Sequence, residues 1–373
     1  MEKKEKKVVG LIVNPIAGIG GKVGLKGSDG EGTVEKAFSL GAERVAPDRA
    51  TDMLRKLKET GIHFELVTYP ELMGALEAQK CGLSPIVLGS ISPGETTALD
   101  TRNAANDLRD YGVDLLLFVG GDGTARDVYQ AIGHDVPALG IPAGVKIHSS
   151  VYAINPRRAA ELVKAFFQER ASIREQEVMD IDEEEFREGR VSAQLFGYLR
   201  VPFEPRLIQG AKASSRGTGE SKRAIAEDIA DRMNGNWYYI LGPGTTVAAI
   251  GDELGIEKSL LGVDVVHDKK LIGKDVNESE LLEIIDGQKS KIIVTVIGGQ
   301  GYIFGRGNQQ ISPRVIRMVG TENVIVVASK SKINELNGPL LVDTGDTELD
   351  EELGGYIRVV TGYQEESLIQ VGV

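Results

Sequence analysis

A single cysteine, Cys81, stands among 373 residues. One thiol allows neither an intrachain disulfide nor a paired-cysteine zinc site, and this usage fits a reducing compartment. Positive charge is also short: 43 Lys and Arg against 55 Asp and Glu leave a formal net charge of -12. That balance argues against a general binder of nucleic acid, which needs many cations facing phosphates, but leaves room for a local cationic pocket holding one nucleotide. No stretch approaches the roughly 20 apolar residues of a membrane span. The charged run Met1–Lys7 is followed only by a strand-length apolar segment, so it reads as a solvated tail and not as a secretory signal. A cytoplasmic protein without membrane or nucleic-acid partners is the resulting expectation. No internal repeat of fixed period is present.

Glycine is what the sequence has in excess. Its 46 glycines cluster at turns, where backbone must bend sharply or approach a ligand closely. With 41% hydrophobic and 26% charged residues the chain is of ordinary globular composition. Its length predicts two domains at about 150 residues each. Short apolar strands alternate with helices through the first half: Val8–Val13, His63–Val67, Ser84–Leu88 and Asp114–Val119 read as strands, and Arg49–Glu59 as a helix started by Pro47 and stopped by Gly61. From about Ser172 the pattern becomes a hairpin, Glu177–Glu183 and Val191–Val201 around a Glu188-Gly189 turn. Trp237–Leu241 then leads into Gly242-Pro243-Gly244-Thr245-Thr246, and α/β alternation continues to about Val360. The expected architecture is α/β: a Rossmann-like parallel-sheet domain over 1–160, a second α+β domain over 161–373, and a nucleotide cleft between them.

The strongest local signal is Gly120-Gly121-Asp122-Gly123-Thr124, where a buried strand runs through glycines into a helix. Backbone amides and the helix dipole there favour an anion, and phosphate is the natural one. Asp122 would repel that phosphate without a role of its own, which could be accepting a hydroxyl proton, holding Mg²⁺ or capping the helix. A second loop, Asn14 to Lys22, follows the first strand, with Gly18 and Gly20 in its turn and Lys22 as a phosphate contact, or else a mobile turn. It fits neither GxxxxGK[ST] nor the hydride-transfer fingerprint, because Val23 stands where the last glycine belongs. A third loop offers Gly144, Lys146 and the Ser149-Ser150 pair to phosphate oxygens. His148 in the same loop reads as a hydrogen-bonded residue, with a proton carrier as the alternative. Later in the chain Asp264 either meets a ribose or faces solvent, and Arg306 and Asn308 sit in a glycine-rich loop suited to a ligand or to a domain-interface turn. The acidic run Asp180–Glu185 reads as a solvated hairpin edge.

These loops together resemble the superfamily that joins NAD kinases to diacylglycerol and sphingosine kinases. The signature is GGDGT at Gly120–Thr124, supported by the Asn14-Pro15 turn and by Gly140–Lys146. The segments Leu261–Val266, Lys274–Glu278 and Ile297–Gln310 look closest to a predicted NAD kinase-like branch that includes an acetoin-catabolism accessory protein. The resemblance implies ATP or polyphosphate as donor, Mg²⁺ on the phosphates, Asp122 as base and NAD as acceptor or ligand, in a homo-oligomer. Gly244, Thr245 and Thr246 look like the threonine/serine turn through which NAD kinases hold their dinucleotide; read from residues alone, a threonine there caps the following helix. One departure is that the Asn-Glu pair, Asn277-Glu278, falls after that turn and has the form of a capping box with Glu280. That departure leaves open a nucleotide sensor without catalysis, and a lipid kinase is a further alternative.

Overall fold

A computed structural model describes residues 7–25, 32–92, 96–145, 147–181, 193–204, 207–209, 219–336 and 338–373. The Met1–Lys6 part of the tail, Lys146, most of the acidic run and the Glu188-Gly189 turn lie outside these. Two compact units result. The first comprises Met1–Ile19, Gly27–Phe38 and Glu43–Ala211; the second comprises Gly20–Lys26, Ser39–Ala42 and Lys212–Val373.

In the first unit, β1 (Val8–Val13), α1 (Thr33–Ser39), α2 (Ala46–Glu59), β2 (Glu65–Thr68), α3 (Ala75–Lys80), β3 (Ile86–Val87), α4 (Ala98–Tyr111), β4 (Leu115–Gly120), α5 (Asp122–Ile132), β5 (Ala138–Pro142) and α6 (Pro156–Phe167) follow one another. The strands form a parallel sheet in the order β3-β2-β1-β4-β5. β1 and β4 are continuous apolar runs because helices cover both faces, and Leu11, Ile12, Leu116, Leu117 and Phe118 are wholly buried. The order reverses between β1 and β4, which leaves a crevice at their carboxyl ends, where the loops diverge.

A long hairpin, β6 (Ser172–Ile181) and β7 (Ala193–Phe203), completes the unit. Val178, Leu199 and Val201 bury their side chains in the same core as the parallel sheet. The first compact unit therefore runs on to Ala211, and the change of local pattern near 172 marks a new layer on the same core. Asp180, expected at a solvated edge, is buried and accepts a 2.6 Å hydrogen bond from Arg126.

The second unit contains α7 (Gly219–Arg232), β8 (Tyr238–Leu241), α8 (Thr245–Leu254), β9 (Asp264–His267), β10 (Lys270–Gly273), α9 (Glu278–Ile285), β11 (Ser290–Thr295), β12 (Tyr302–Phe304), α10 (Pro313–Val319), β13 (Val324–Val327), α11 (Lys330–Asn334), β14 (Leu340–Val342), α12 (Thr347–Leu353), β15 (Gly355–Gly362) and β16 (Glu365–Gly372). They build a mixed nine-stranded sheet, β10-β9-β8-β11-β13-β15-β16-β14-β12. Its centre, β8 to β15, is parallel; β9, β10 and β16 introduce the antiparallel pairings.

One buried group works against the first unit's stability. Glu77 on α3 is fully buried, and neither carboxyl oxygen has a hydrogen-bond partner among the described residues. Burial pushes its carboxyl above the ordinary carboxylate range, against the pull of nearby backbone amides and of Lys80. The folded chain therefore holds this proton more tightly than the unfolded chain, and ionised Glu77 destabilises the fold at neutral pH. Glu77→Met is expected to raise stability by about 1–3 kcal/mol at pH 7. In urea titrations at successive pH values the gain should shrink as acid protonates the wild-type carboxyl.

Candidate active site

Three loops meet at the carboxyl ends of β1, β4 and β5. The amide of Asn14 donates to Val119 O (3.0 Å), continuing the β1–β4 pairing, and its Nδ2 donates to Thr124 Oγ1 (3.0 Å) in the first turn of α5. Asn14 Oδ1 also accepts from Ile16 N (3.3 Å), which curls the loop after β1. The carbonyl of Gly120 accepts from Ala143 N (2.9 Å) and Gly144 N (3.1 Å). Gly121 and Gly144 touch backbone to backbone: a Cβ on Gly144 would lie 2.8 Å from Gly121 Cα. Gly18 has a φ of +79°, and a Cβ there would overlap the Ala143 carbonyl oxygen. Gly18→Ala combines that overlap with a left-handed penalty of about 1–2 kcal/mol. It should lower the thermal midpoint and weaken nucleotide binding by calorimetry, whereas Gly41→Ala, also at positive φ but open to space, should lower the midpoint alone.

At the start of α5, Gly121 is the N-cap, with extended backbone and no side chain to satisfy the helix amides. Asp122 is the first helical residue and Gly123 the second, so Asp122 is not the cap. Its side chain is 5% exposed and turns to the 147–149 loop. Oδ2 accepts from His148 N (2.7 Å) and lies 3.2 Å from His148 Nδ1; Oδ1 accepts from Ser149 N (3.1 Å) and Ser149 Oγ (2.6 Å). The carboxylate thereby fixes the loop after β5, and the first-turn amides of α5 are left for another anion.

Both hydroxyls of the serine pair are engaged by the protein itself. Ser149 Oγ accepts from Met179 N (2.9 Å) and Ser150 Oγ from Glu177 N (3.0 Å), so both hydroxyls stitch the loop to β6. Tyr152 Oη donates to Gly121 O (2.5 Å) and Gln209 Nε2 to Ser149 O (2.9 Å), holding both loops from behind.

The expected glycine loop after β1 divides. Asn14 and Gly18 join the Asp122 site, whereas Gly20 and Lys22 group with the second unit. Gly20 O accepts from Leu25 N (2.9 Å), and Lys22 O accepts from Glu278 N (3.0 Å) at the start of α9. Beside it Asn277 and Glu280 form the capping box expected of them, at 3.1 and 2.8 Å.

In the second unit Gly244, at a φ of +114°, is the N-cap of α8 and supplies no side chain. Neither threonine caps this helix, which corrects the capping reading. Thr245 Oγ1 instead accepts from Lys222 Nζ (3.0 Å), and Thr246 is buried. Lys332 Nζ donates to Thr295 Oγ1 (3.3 Å) at the end of the adjacent β11. The result is a second uncapped helix start with a lysine on its threonine.

Three candidate contacts turn inward. Asp264 is 0% exposed, not solvent-facing, and accepts from Ser259 N (2.6 Å), Ser259 Oγ (2.5 Å) and Asp275 N (2.7 Å), with Lys258 Nζ at 3.7 Å. Arg306 is buried over the Tyr302 ring and donates to Asp343 Oδ2 (2.6 Å) and Gly305 O (3.0 Å). Asn308 accepts from Gly305 N (3.1 Å) and donates to Ile303 O (2.9 Å). The loop carrying Arg306 and Asn308 includes the buried strand β12, and its polar groups tie it to itself and to Asp343. Its glycines signal a ligand loop in the sequence because sequence does not distinguish inward from outward amides.

No three Asp, Glu, His or Cys side chains group as a metal site among the described residues, and both Asp122 oxygens already accept hydrogen bonds. These residues do not fit a resident magnesium ion.

The ATP-NAD kinase N-terminal domain model matches residues 9–171, and the ATP-NAD kinase C-terminal domain model matches residues 234–371. The chain belongs to the NAD kinase-like superfamily. No curated protein matches it. A parallel five-stranded sheet followed by a mixed-sheet unit is the NAD kinase arrangement, and the two matches support a kinase of the NAD kinase-like kind. No helix among the described residues is long and apolar enough to cross a membrane. Within the N-terminal match, His148 is hydrogen-bonded as the sequence reading favoured, and its partner is Asp122. Tyr152 lies in the same match without any motif to mark it, and Gln209 lies beyond it.

Proposed function

We propose that the chain transfers the terminal phosphoryl group of ATP to a hydroxyl of NAD or a related nucleotide, and that Asp122 is the carboxylate on which this transfer depends. The observation that carries the reading is the seat of Asp122: first residue of an uncapped helix, at the point where the strand order reverses, beside two glycine loops. Backbone amides at such a helix start bind phosphate, and a fixed carboxylate beside them is placed for the acceptor's proton. Asn14, Gly18, Gly120, Gly121, Gly123, Thr124 and Gly144 shape the donor's phosphate site; Gly244, Thr245 and Thr246, with Lys222, take the acceptor's phosphates. Asp264, Arg306 and Asn308 hold the second unit together and are not assigned to substrate.

A second reading is supported by the four protein hydrogen bonds that already engage Asp122: a nucleotide sensor that binds without turnover. Incubation with γ-labelled ATP and Mg²⁺ against NAD, NADH, nucleosides and small polyols separates the two. Label in an acceptor supports the kinase; tight binding of ATP or NAD with no labelled acceptor supports the sensor and removes the kinase.

A further inference from the structure

The contacts that crowd Asp122 also show how it can take a proton. A carboxylate offers about four acceptor sites, and four contacts meet Asp122: His148 N and Nδ1 at Oδ2, Ser149 N and Oγ at Oδ1. A base holds a proton during part of each turnover, and a proton added to a carboxyl whose sites are all occupied leaves donor facing donor. One donor has to yield. Backbone amides are fixed, but the Ser149 hydroxyl turns about its C–O bond and has a second acceptor in reach: Oγ lies 2.6 Å from Asp122 Oδ1 and 2.9 Å from Met179 O. It carries one proton for the two. A lone pair of the same oxygen receives Met179 N at 2.9 Å, which holds Oγ in place whichever way its proton points. Ser149 is wholly buried, so protein groups decide that direction. The β6–β7 pairing shifts register between Val178 and Met179, at the residue whose N–H and C=O both meet this hydroxyl.

Resting on the kinase reading above, we propose that Ser149 is the positioning residue of Asp122: its hydroxyl donates to Oδ1 while the carboxylate is ionised and turns to Met179 O when Asp122 takes the proton. Asp122 remains the base. As the acceptor oxygen attacks the terminal phosphorus of ATP, its proton passes to the Asp122 carboxyl. The new O–P bond forms as the bond between the terminal phosphorus and the bridging oxygen breaks, and ADP departs with the electron pair. The protonated carboxyl donates to Ser149 Oγ, which then donates to Met179 O and accepts from Met179 N and Asp122, its full complement. Asp122 afterwards returns its proton to solvent, and the Ser149 hydroxyl turns back to Oδ1. Both protonation states are thereby satisfied without moving the loop, which Ser150 and Gln209 also hold.

The test uses variants of the full chain, with folding checked by near-UV circular dichroism. Ser149→Ala removes the turning donor; its kcat should fall by about 10–10²-fold, the scale of a hydrogen bond to a charged group, with KM for ATP and NAD within about twofold. Ser149→Cys keeps a side chain at Cβ but offers a weak donor, and its kcat should fall in the same way. Added to Asp122→Asn, which takes up no proton, Ser149→Ala should change kcat by less than about twofold, whereas a merely structural serine would cost rate in both backgrounds. Folded Ser149 variants that keep kcat within about threefold, while Asp122→Asn loses it, overturn the role of Ser149 and leave the kinase reading standing. Equal losses from Ser149→Ala in both backgrounds overturn it as well. A wild-type protein that labels no acceptor overturns both.

Discussion

Asp122→Asn is expected to lower kcat for phosphoryl transfer by about 10³–10⁴-fold, the upper part of the range that a positioned general base contributes. The substitution keeps volume and removes charge. It also places an amide NH₂ where one carboxylate oxygen accepts two hydrogen bonds, either from His148 N and Nδ1 or from Ser149 N and Oγ. Whichever way the amide turns, donor faces donor, so the 147–149 loop loses an anchor and stability falls by about 1–3 kcal/mol. The binding of ATP should change much less, because the α5 amides that receive phosphate belong to the backbone. Steady-state kinetics paired with calorimetric ATP binding measures both parts. A variant that loses binding and rate equally would move Asp122 from transfer to nucleotide recognition.

The second large effect is structural. Asp264→Ala is expected to destabilise the second unit by about 3–5 kcal/mol, the cost of breaking a buried ion pair by removing one partner. Lys258 would remain buried without its carboxylate, and Ser259 N, Ser259 Oγ and Asp275 N would lose their acceptor. Burial lowers the Lys258 ammonium from its ordinary 10.5 to about 8, although Asp264 and Asp275 pull it upward. Between those values the unfolded chain binds the proton and the folded chain does not, so Lys258 makes stability rise with pH from about 8 to 10.5. Removing Asp264 should extend that rise to lower pH. Denaturant midpoints across this range check both statements, and an Asp264→Ala protein of wild-type stability would make Asp264 a candidate ligand contact again.

These contrasts show what the sequence carries. Val8–Val13 reads as a strand because six apolar residues end at Asn14-Pro15, and the strand has those bounds. GGDGT is equally legible, since a buried strand, glycines and a helix follow one another within a few residues. What Asp122 touches is not legible, because His148 and Ser149 lie 26 and 27 positions away and only the β4–β5 pairing brings them together. The same limit explains Asp264 and Arg306. A carboxylate in a strand or an arginine in a glycine loop has one sequence signature whether it faces a ligand or a buried partner, and here each has a buried partner: Lys258 and Asp343. Thr245 and Thr246 fail as caps for a local reason, since Gly244, with its positive φ, turns the chain one residue earlier. The hairpin of β6 and β7 is visible as a change in pattern, but its allegiance to the first core rests on Val178 and on the Ser150–Glu177 contacts, which are tertiary.

The most direct measurement of the central claim is mass spectrometry of NAD after incubation with ATP, Mg²⁺ and either the wild-type protein or Asp122→Asn. NAD that gains one phosphoryl group with the wild type, at a rate lower by about three orders of magnitude or more with the variant, is the predicted result. Phosphorylated NAD formed at equal rates by both proteins would contradict it.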